Sequence, residues 1–529
     1  MHRVVTDLLL RGGLVCDGLA SEPYRADVAI AGGRVAAVGE GLPAAAREID
    51  ATGLVVAPGF VDVHTHSDFT LPVRPGAAAK LLQGVTTDCT GNCGFSPFPL
   101  ESGAMARRHG TFFEPALTDR WPSLAAYAES VDALQPGINL APLTGLGAIR
   151  LAVVGEDDRP ATATELAEMQ RLVDVTLAEG SFGVSSGLIY APSGYADVDE
   201  LTGLARVAAA RGRFYATHMR NEGDRLEAAV DEALEIGRRS GCAVQISHHK
   251  AVGRQNWGKV SRTLRSIDAA NRSGADVSLD VYPYTAGSTT LAAMFPAEAL
   301  AGGEAGLRAR LADPEARAAV VRGIAEGDNR IEDVVLAGPP SAPELRGRRL
   351  VDVAAERGVD ACELLLDLVE ADGLDPVMIV HGISEADVRM VLGHDRAMFG
   401  SDGWVMSTDA AGYAHPRNFA AATRMLSVYV RDTGLLSLAE AIRRLATLPA
   451  RRLGLADRGL IAPGAAADLV AFDLAALQER ATFDDPCHHP VGIRHVLVNG
   501  VAAVAHGVLT GQRGGRVLRA SGLVGADRE

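Results

Sequence analysis

The 529-residue chain has little lysine, few cysteines and no long apolar run. Only Lys80, Lys250 and Lys259 are lysines among its 51 basic side chains, so arginine supplies nearly all of the positive charge. The six cysteines lack the paired spacing of a disulfide framework, which favours a reducing compartment. Because neither a membrane-length apolar stretch nor a signal-peptide pattern is present, we expect a cytoplasmic protein with no membrane partner.

The excess of acidic side chains limits the partners further. A net charge of -15 argues against nucleic acid, which calls for a basic face. Hydrophobic residues make up 47% of the chain, and its length suits a barrel of about 250 residues or more with a smaller domain. We therefore expect a small-molecule substrate. The sequence does not indicate an oligomeric state.

The stretch from Val61 to Cys93 carries the strongest chemical signal. In the run VDVHTH at 61–66, a β-strand sends His64 and His66 to the same face. At the C-terminal end of a strand the two imidazoles can bind one metal ion. The alternative is a pair of histidines that are simply buried in a strand.

The middle of the chain alternates short apolar strands with amphipathic helical stretches, as in parallel βα units. This pattern predicts an α/β fold with a TIM-like (β/α)8 barrel over 58–455. An insertion at about 288–376, after strand seven, is either a lid over the site or a surface elaboration. Strand and turn patterns in 1–57 and 456–529 predict a small β-sandwich built from both termini. The predicted barrel strands lie near 60–64, 84–89, 138–143, 181–186, 213–217, 243–247, 276–282 and 397–401.

Side chains that can bind zinc stand at the ends of five predicted barrel strands, where such barrels place their reactive groups. The candidate metal ligands are His64, His66, Cys93, His218, His248 and Asp402. Asp402 is also the candidate general acid and base, because a carboxylate that faces the metals lies within reach of a bound water. A structural aspartate in a Gly-Ser-Asp-Gly turn is the alternative.

The run APGFVDVHTH at 57–66 resembles the opening strand of the amidohydrolase superfamily of metal-dependent hydrolases. The runs GVTT at 84–87 and GNCG at 91–94 resemble more narrowly the D-aminoacylases, also called N-acyl-D-amino-acid deacylases. The resemblance extends over nearly the whole chain. It implies hydrolysis of N-acyl-D-amino acids to a carboxylate and a D-amino acid, with metal-activated water and Asp402 as general acid and base.

Many members of the superfamily bridge two metals with a carbamylated lysine, but none of the three lysines stands at a predicted strand end. Cys93 is the substitute, since a thiolate is a strong zinc ligand, although a small buried hydrophobic role is its alternative. The resemblance implies one tight zinc site and a weaker second metal position that shares Cys93. The implied ligands are Cys93, His218 and His248 for the tight site, and His64, His66 and Asp402 for the second.

The resemblance also implies substrate-binding residues. Lys250, Tyr282 and Arg417 match positions that bind the α-carboxylate in D-aminoacylases, and Tyr190 matches a pocket residue of that family. Solvated surface charge is the alternative for the lysine and the arginine. The family pattern Gly-His-Gly near strand three is broken here by Leu146, which cannot donate a hydrogen bond, so the substrate range stays open.

Three other functions remain open. A cyclic-amide hydrolase of the hydantoinase or dihydroorotase kind would use the same barrel, although the missing bridging lysine disfavours it. A D-specific dipeptidase or amidase would use the same site on another linear amide. A catalytically dead barrel that only binds a ligand is disfavoured by the intact set of metal ligands.

Overall fold

The computed structural model describes residues 6–100, 109–110, 112–114, 116–117, 119–327, 329–409 and 414–520. The outer ends of the two predicted sandwich segments, 1–5 and 521–529, lie outside the described residues. None of the helices in the described ranges is long and apolar enough to cross a membrane.

Strands from both ends of the chain share one nine-stranded sheet. The two halves join where Val55–Pro58 pairs antiparallel with Leu469–Phe472, and side chains of both halves form one core. Asn499 and Gly500 have positive φ angles of 50° and 81°, as a two-residue hairpin turn requires. In sheet order the strands are Val508–Leu509, Val501–Ala505, Ile493–Val498, Leu469–Phe472, Val55–Pro58, Leu8–Val15, Tyr24–Ala31 and Arg34–Gly39, with Glu48–Asp50 beside Leu8–Val15.

The barrel consists of parallel strands, and the last closes against the first through the Val63 N–H, which donates to the Phe399 carbonyl at 3.2 Å. Side chains alternate along each strand and fill two cores, one inside the barrel and one between the barrel and its helices. Ala216 faces the barrel interior, while Tyr215 packs toward the helices. The predicted strands are confirmed with small shifts of their ends. They are Phe60–Asp62, Val85–Thr90, Asn139–Pro142 with Thr144–Gly145, Gly183–Gly187, Phe214–His218, Ala243–Ile246, Val277–Val281 and Ala397–Phe399.

Helices surround the strands. Ala163–Ala178 begins at a capping box of Thr162 and Glu165, and it buries Met169 and Val173 as its three-to-four-residue spacing predicts. Outside the insertion, the other described α-helices before strand eight are Ser67–Thr70, Ala78–Leu81, Leu124–Ala133, Leu146–Val153, Val198–Ala210, Leu226–Ser240, Val260–Arg272 and Glu385–Leu392. After strand eight come Arg417–Leu426, Leu438–Ile442 and Leu448–Arg452, with π-helical turns at Ser427–Asp432 and Arg443–Thr447.

The insertion after strand seven has its own three-stranded antiparallel sheet and its own hydrophobic core. Its first strand touches the barrel mouth, because the Arg417 guanidinium donates to the Ser288 carbonyl at 3.2 Å and Tyr190 Oη lies 3.0 Å from Thr289 Oγ1. The first strand of the insertion thus contacts residues at the barrel mouth. The strands are Gly287–Thr290, Val334–Leu336 and Val377–Val380, and the helices are Gly303–Leu311, Pro314–Ala325, Leu350–Arg357 and Ala361–Asp372.

Candidate metal centre

Cys93 lies at the centre of the predicted ligand set. Its Sγ is 3.2 Å from His64 Nε2, 3.6 Å from His248 Nε2 and 3.7 Å from His218 Nδ1. All four side chains are buried. They come from strands one, two, five and six, so barrel closure brings them together although 155 residues separate Cys93 from His248.

Asp402 extends the cluster from the end of strand eight. Its Oδ1 lies 3.3 Å from His66 Nε2 and 3.5 Å from His64 Nε2. The first strand ends at Asp62, earlier than predicted, but both histidines still face the cluster because Thr65 bridges to the strand-eight loop. Two groups of donor atoms within 4.8 Å of one another result among the described residues, and both include Cys93. They are Cys93, His218 and His248, and His64, His66, Cys93 and Asp402.

Three of these residues have left-handed backbone conformations that non-glycine residues rarely adopt. The φ angles are 53° at Cys93, 33° at His248 and 52° at Asp402. Such conformations cost about 1 to 3 kcal/mol each and persist only where the surrounding structure enforces them. The orientation of these side chains therefore lowers the stability of the protein. The sequence motifs do not predict the left-handed conformations.

Gly91 and Gly94 allow Cys93 its position. Both have positive φ, and a Cβ on Gly91 would meet the Leu143 carbonyl oxygen, while one on Gly94 would lie 2.9 Å from the Gly187 amide nitrogen. The backbone approach therefore requires glycine at both positions. These close contacts explain why the run GNCG has a glycine at each end.

Asp280, at the end of strand seven, is a site residue that the motifs did not reveal. It is fully buried, and its Oδ1 lies 3.2 Å from His64 Nδ1 while accepting the His248 backbone N–H at 2.8 Å. Its Oδ2 accepts the Gln245 side-chain N–H at 2.6 Å. Asp280 thereby turns the other nitrogen of His64 toward Cys93. In the sequence, the only indication of this role is that Asp280 stands two residues before Tyr282 and therefore on the same face of the strand.

Glu222 is a second carboxylate that the motifs did not reveal. Its Oε1 lies 3.0 Å from His248 Nδ1 and 2.6 Å from Lys250 Nζ, and its Oε2 lies 3.6 Å from His218 Nε2. One carboxylate thus contacts the ring nitrogens of both histidines that point away from Cys93. Its spacing of four residues from His218 was the only local signal.

Lys250, Tyr282 and Arg417 lie together, as expected of a carboxylate-binding group. Lys250 Nζ is 5.7 Å from the centre of the Tyr282 ring, and the Arg417 guanidinium carbon is 5.1 Å from it. All three side chains are buried rather than solvated. Arg417 Nη1 also lies 2.8 Å from Asp402 Oδ2, a contact that the sequence did not predict.

Aromatic and apolar side chains surround the metal centre on another side. The Phe113 ring stacks on His66 with centroids 4.3 Å apart, and the Tyr190 ring lies 5.2 Å from His218. Phe95 and Tyr190 line a cavity of about 180 Å³ that continues to Leu300 of the insertion. A second cavity, of about 360 Å³, reaches Glu222 and shares Tyr190 and Leu300. Both cavities thus lie between side chains that border the candidate metal centre and the insertion.

The surrounding protein shifts the pKa values of the cluster members in different directions. Burial raises the pKa of the Cys93 thiol to about 11, and His64 only partly offsets this. Burial lowers the pKa of His66 to about 4, which leaves a neutral imidazole that can serve as a ligand. Burial disfavours the charge of Asp402, but Arg417, followed by His248, lowers its pKa well below the usual range.

Comparison with known proteins places this arrangement in a family. The model named "Amidohydrolase family" matches residues 47–504. The chain belongs to the amidohydrolase family. Among its relatives in Alcaligenes xylosoxydans xylosoxydans, an N-acyl-D-glutamate deacylase is 40% identical over 97% of this chain and 96% of its own. A D-aminoacylase of the same organism is 37% identical over 97% of each chain.

Solved structures agree with these relatives. The N-acyl-D-glutamate deacylase of Bordetella bronchiseptica, complexed with zinc and a phosphonate inhibitor, superposes with a TM-score of 0.84 at 37% identity, covering 98% of this chain and all of the other. The predicted family, the metal-dependent hydrolase class and the barrel with its β-sandwich are confirmed. A D-hydantoinase superposes with a TM-score of 0.58 at 16% identity, which shows a shared fold alone.

Leu146 and His249 are two further buried residues near the candidate metal centre. Leu146 is buried at the start of Leu146–Val153, and its neighbours Gly145 and Gly147 pack against the Gly94 carbonyl beside Cys93. His249 points away from the cluster, with Nε2 2.8 Å from Thr263 Oγ1.

Proposed function

We propose that the chain is a zinc-dependent deacylase that hydrolyses the amide bond of N-acyl-D-amino acids to a carboxylate and a D-amino acid. The observation that carries the proposal is the position of Cys93 in two groups of donor atoms, one of which contains Asp402. Relatives named for this activity match nearly the whole chain, which supports the same substrate class.

The residues present fit zinc. Thiolate and imidazole are its usual ligands, and three protein ligands with an open position are typical of catalytic zinc. Cys93, His218 and His248 would hold a tight zinc, while His64, His66 and Asp402 would surround a weaker second position that shares Cys93. When bound, zinc lowers the pKa of water to about 7 and polarises a carbonyl oxygen.

Asp402 would take the proton of the attacking water and deliver it to the departing amine. Its Oδ1 faces the histidines and its Oδ2 faces Arg417, so the carboxylate is ionised and held in one orientation. A positioned acid and base of this kind supplies typically 10² to 10⁴-fold in rate.

Lys250, Tyr282 and Arg417 would bind the α-carboxylate of the substrate. A guanidinium or ammonium with a phenol hydroxyl can replace the hydrogen bonds that the carboxylate loses on leaving water. Tyr190 would contact the remainder of the substrate, since it lines both cavities beside the centre. Fixing the carboxylate in this way would hold the scissile amide near the metal site.

A cytoplasmic location is part of the proposal. All six cysteines are free thiols, five of them buried, which is consistent with a reducing compartment.

The experiment combines metal analysis with a panel of amides. Purified protein is analysed for zinc, then assayed with the N-acetyl-D and N-acetyl-L forms of one amino acid, a D-dipeptide and a substituted hydantoin. We expect bound zinc and hydrolysis of the N-acetyl-D form, lost on chelation and restored by zinc. Faster cleavage of the dipeptide or the hydantoin would overturn the substrate assignment in favour of the dipeptidase or the cyclic-amide hydrolase, and equal rates on both enantiomers would overturn the D-selectivity.

A further inference from the structure

Lys80 is buried beside the metal centre although its sequence suggests an ordinary helical lysine. It lies in the short helix Ala78–Leu81 and is among the largest fully buried side chains. Its Nζ donates to Asp62 Oδ2 at 2.7 Å and to Ser401 Oγ at 3.1 Å, and it lies 3.5 Å from Asp88 Oδ2. Lys80 therefore links strands one and two to the loop that follows strand eight.

The groups that Lys80 contacts hold the residues on both sides of Asp402. Asp62 Oδ1 accepts the Ser401 backbone N–H at 2.8 Å. Ser401 Oγ accepts the Gly403 backbone N–H at 3.1 Å. The loop segment from Ser401 to Gly403 is thus tied to strand one through the same aspartate and serine that accept hydrogen bonds from Lys80.

This restraint matters because Asp402 has a left-handed backbone, with φ at 52°. A non-glycine residue keeps that conformation only where its surroundings enforce it. The Asp402 backbone N–H donates to the His64 carbonyl at 2.9 Å, so the same loop also fixes Asp402 relative to the first histidine. A loosened loop would shift the carboxylate away from the metal centre.

Charge makes Lys80 hard to replace. Asp62 and Asp88 are both fully buried, and Lys80 is the cation in contact with both. Without it, two buried carboxylates would lose their cationic partner, which is a strongly unfavourable arrangement. The aspartates would then have to move or find new donors, and Ser401 would move with them.

We propose that Lys80 is a positioning residue: it fixes the segment from Ser401 to Gly403 and thereby holds the Asp402 carboxylate in place relative to His64. The proposal rests on the proposed function in so far as Asp402 is the group that moves the proton. Lys80 itself touches neither the predicted metal ligands nor the substrate-binding side chains.

The test uses Lys80→Met, Ser401→Ala and the double variant in the full-length, zinc-loaded protein. Arg458→Met is the matched control, because Arg458 forms a comparably buried ion pair with Asp468. Zinc content, urea unfolding, kcat and KM are measured for each. The assay uses whichever amide of the panel above the wild type hydrolyses fastest, so that a wrong substrate assignment does not hide the result.

We expect Lys80→Met to lower kcat at least 10-fold and Ser401→Ala at least 3-fold, with KM and zinc content within 2-fold of the wild type. The double variant should be no worse than Lys80→Met alone, because both changes release the same loop. Arg458→Met should lose stability but keep kcat.

Three results would overturn the proposal. They are a normal kcat in Lys80→Met, independent and additive losses in the double variant, or a loss of kcat in Arg458→Met as large as that in Lys80→Met. If Lys80→Met does not fold, Ser401→Ala decides alone, since it keeps the buried ion pairs and a normal kcat in it would contradict the positioning role.

Discussion

Arg417 Nη1 lies 2.8 Å from Asp402 Oδ2, so a residue expected to bind the substrate's carboxylate is already paired with the expected base. The pair joins two roles that the sequence presents as separate. A carboxylate that binds Arg417 competes for, or shares, the guanidinium that fixes Asp402. The proposed roles of Arg417 in substrate binding and of Asp402 as the base would therefore be coupled through one ion pair.

The first prediction concerns Cys93. Cys93→Ala should abolish both bound zinc and activity, because Cys93 belongs to both donor groups. His64→Asn should leave most of the zinc in place, since His64 belongs only to the second group. Zinc per protein by mass spectrometry checks both. Stoichiometric zinc with normal turnover in Cys93→Ala would show that the ligand assignment is wrong.

The second prediction concerns Asp402. Asp402→Asn should keep the tight zinc and lose about 10² to 10⁴-fold in kcat, because an amide cannot accept the water's proton. Steady-state kinetics with parallel zinc analysis measures this. Near-normal kcat would remove Asp402 from the proton transfer.

The third prediction concerns Lys250 and Arg417. Lys250→Ala and Arg417→Ala should each lower kcat/KM for an N-acetyl-D-amino acid about 10-fold or more, on the order of 1.4 kcal/mol, with zinc unchanged. The loss should be smaller on the methyl ester, which lacks the charge, but Arg417→Ala should also lose some activity on the ester because Arg417 contacts Asp402. Arg262→Ala, which breaks an exposed ion pair with Glu227, is the control. Equal proportional losses on acid and ester would argue against carboxylate recognition.

The fourth prediction concerns Glu222. Glu222→Gln should weaken zinc retention about 10 to 100-fold, because it removes the carboxylate that contacts both His218 and His248. Competition with a chelator of known affinity measures the effect. The control is Glu232→Gln, because Glu232 lies on the helix Leu226–Ser240 and forms an ion pair with Arg220. This variant should retain zinc normally. Identical retention in the two variants would leave Glu222 without a role at the metal.

The fifth prediction concerns Gly91. Gly91→Ala should destabilise the protein far more than Gly53→Ala, although both glycines have positive φ. A Cβ at Gly53 meets open space and costs only about 1 kcal/mol of backbone strain, whereas one at Gly91 meets the Leu143 carbonyl. Urea unfolding compares them. Equal stabilities would mean that the loop before Cys93 can shift freely.

The order of the barrel strands and the six candidate ligands could be predicted from the sequence alone. Strand alternation and strand ends are local properties, so a run such as VDVHTH indicates its chemistry without reference to distant residues. The scarcity of lysine likewise excluded a lysine bridge at a strand end, because absence can be read directly from the chain.

The contacts that support the site, in contrast, are apparent only in the folded protein. The left-handed residues His248 and Asp402 make backbone hydrogen bonds to distant parts of the chain, to Asp280 Oδ1 and to the His64 carbonyl. The burial of Lys80 against Ser401 joins residues 321 positions apart, and no local pattern encodes such a contact. Pairings of this kind arise when barrel closure brings the strand-eight loop against strand one, which fixes distances that the one-dimensional spacing leaves free.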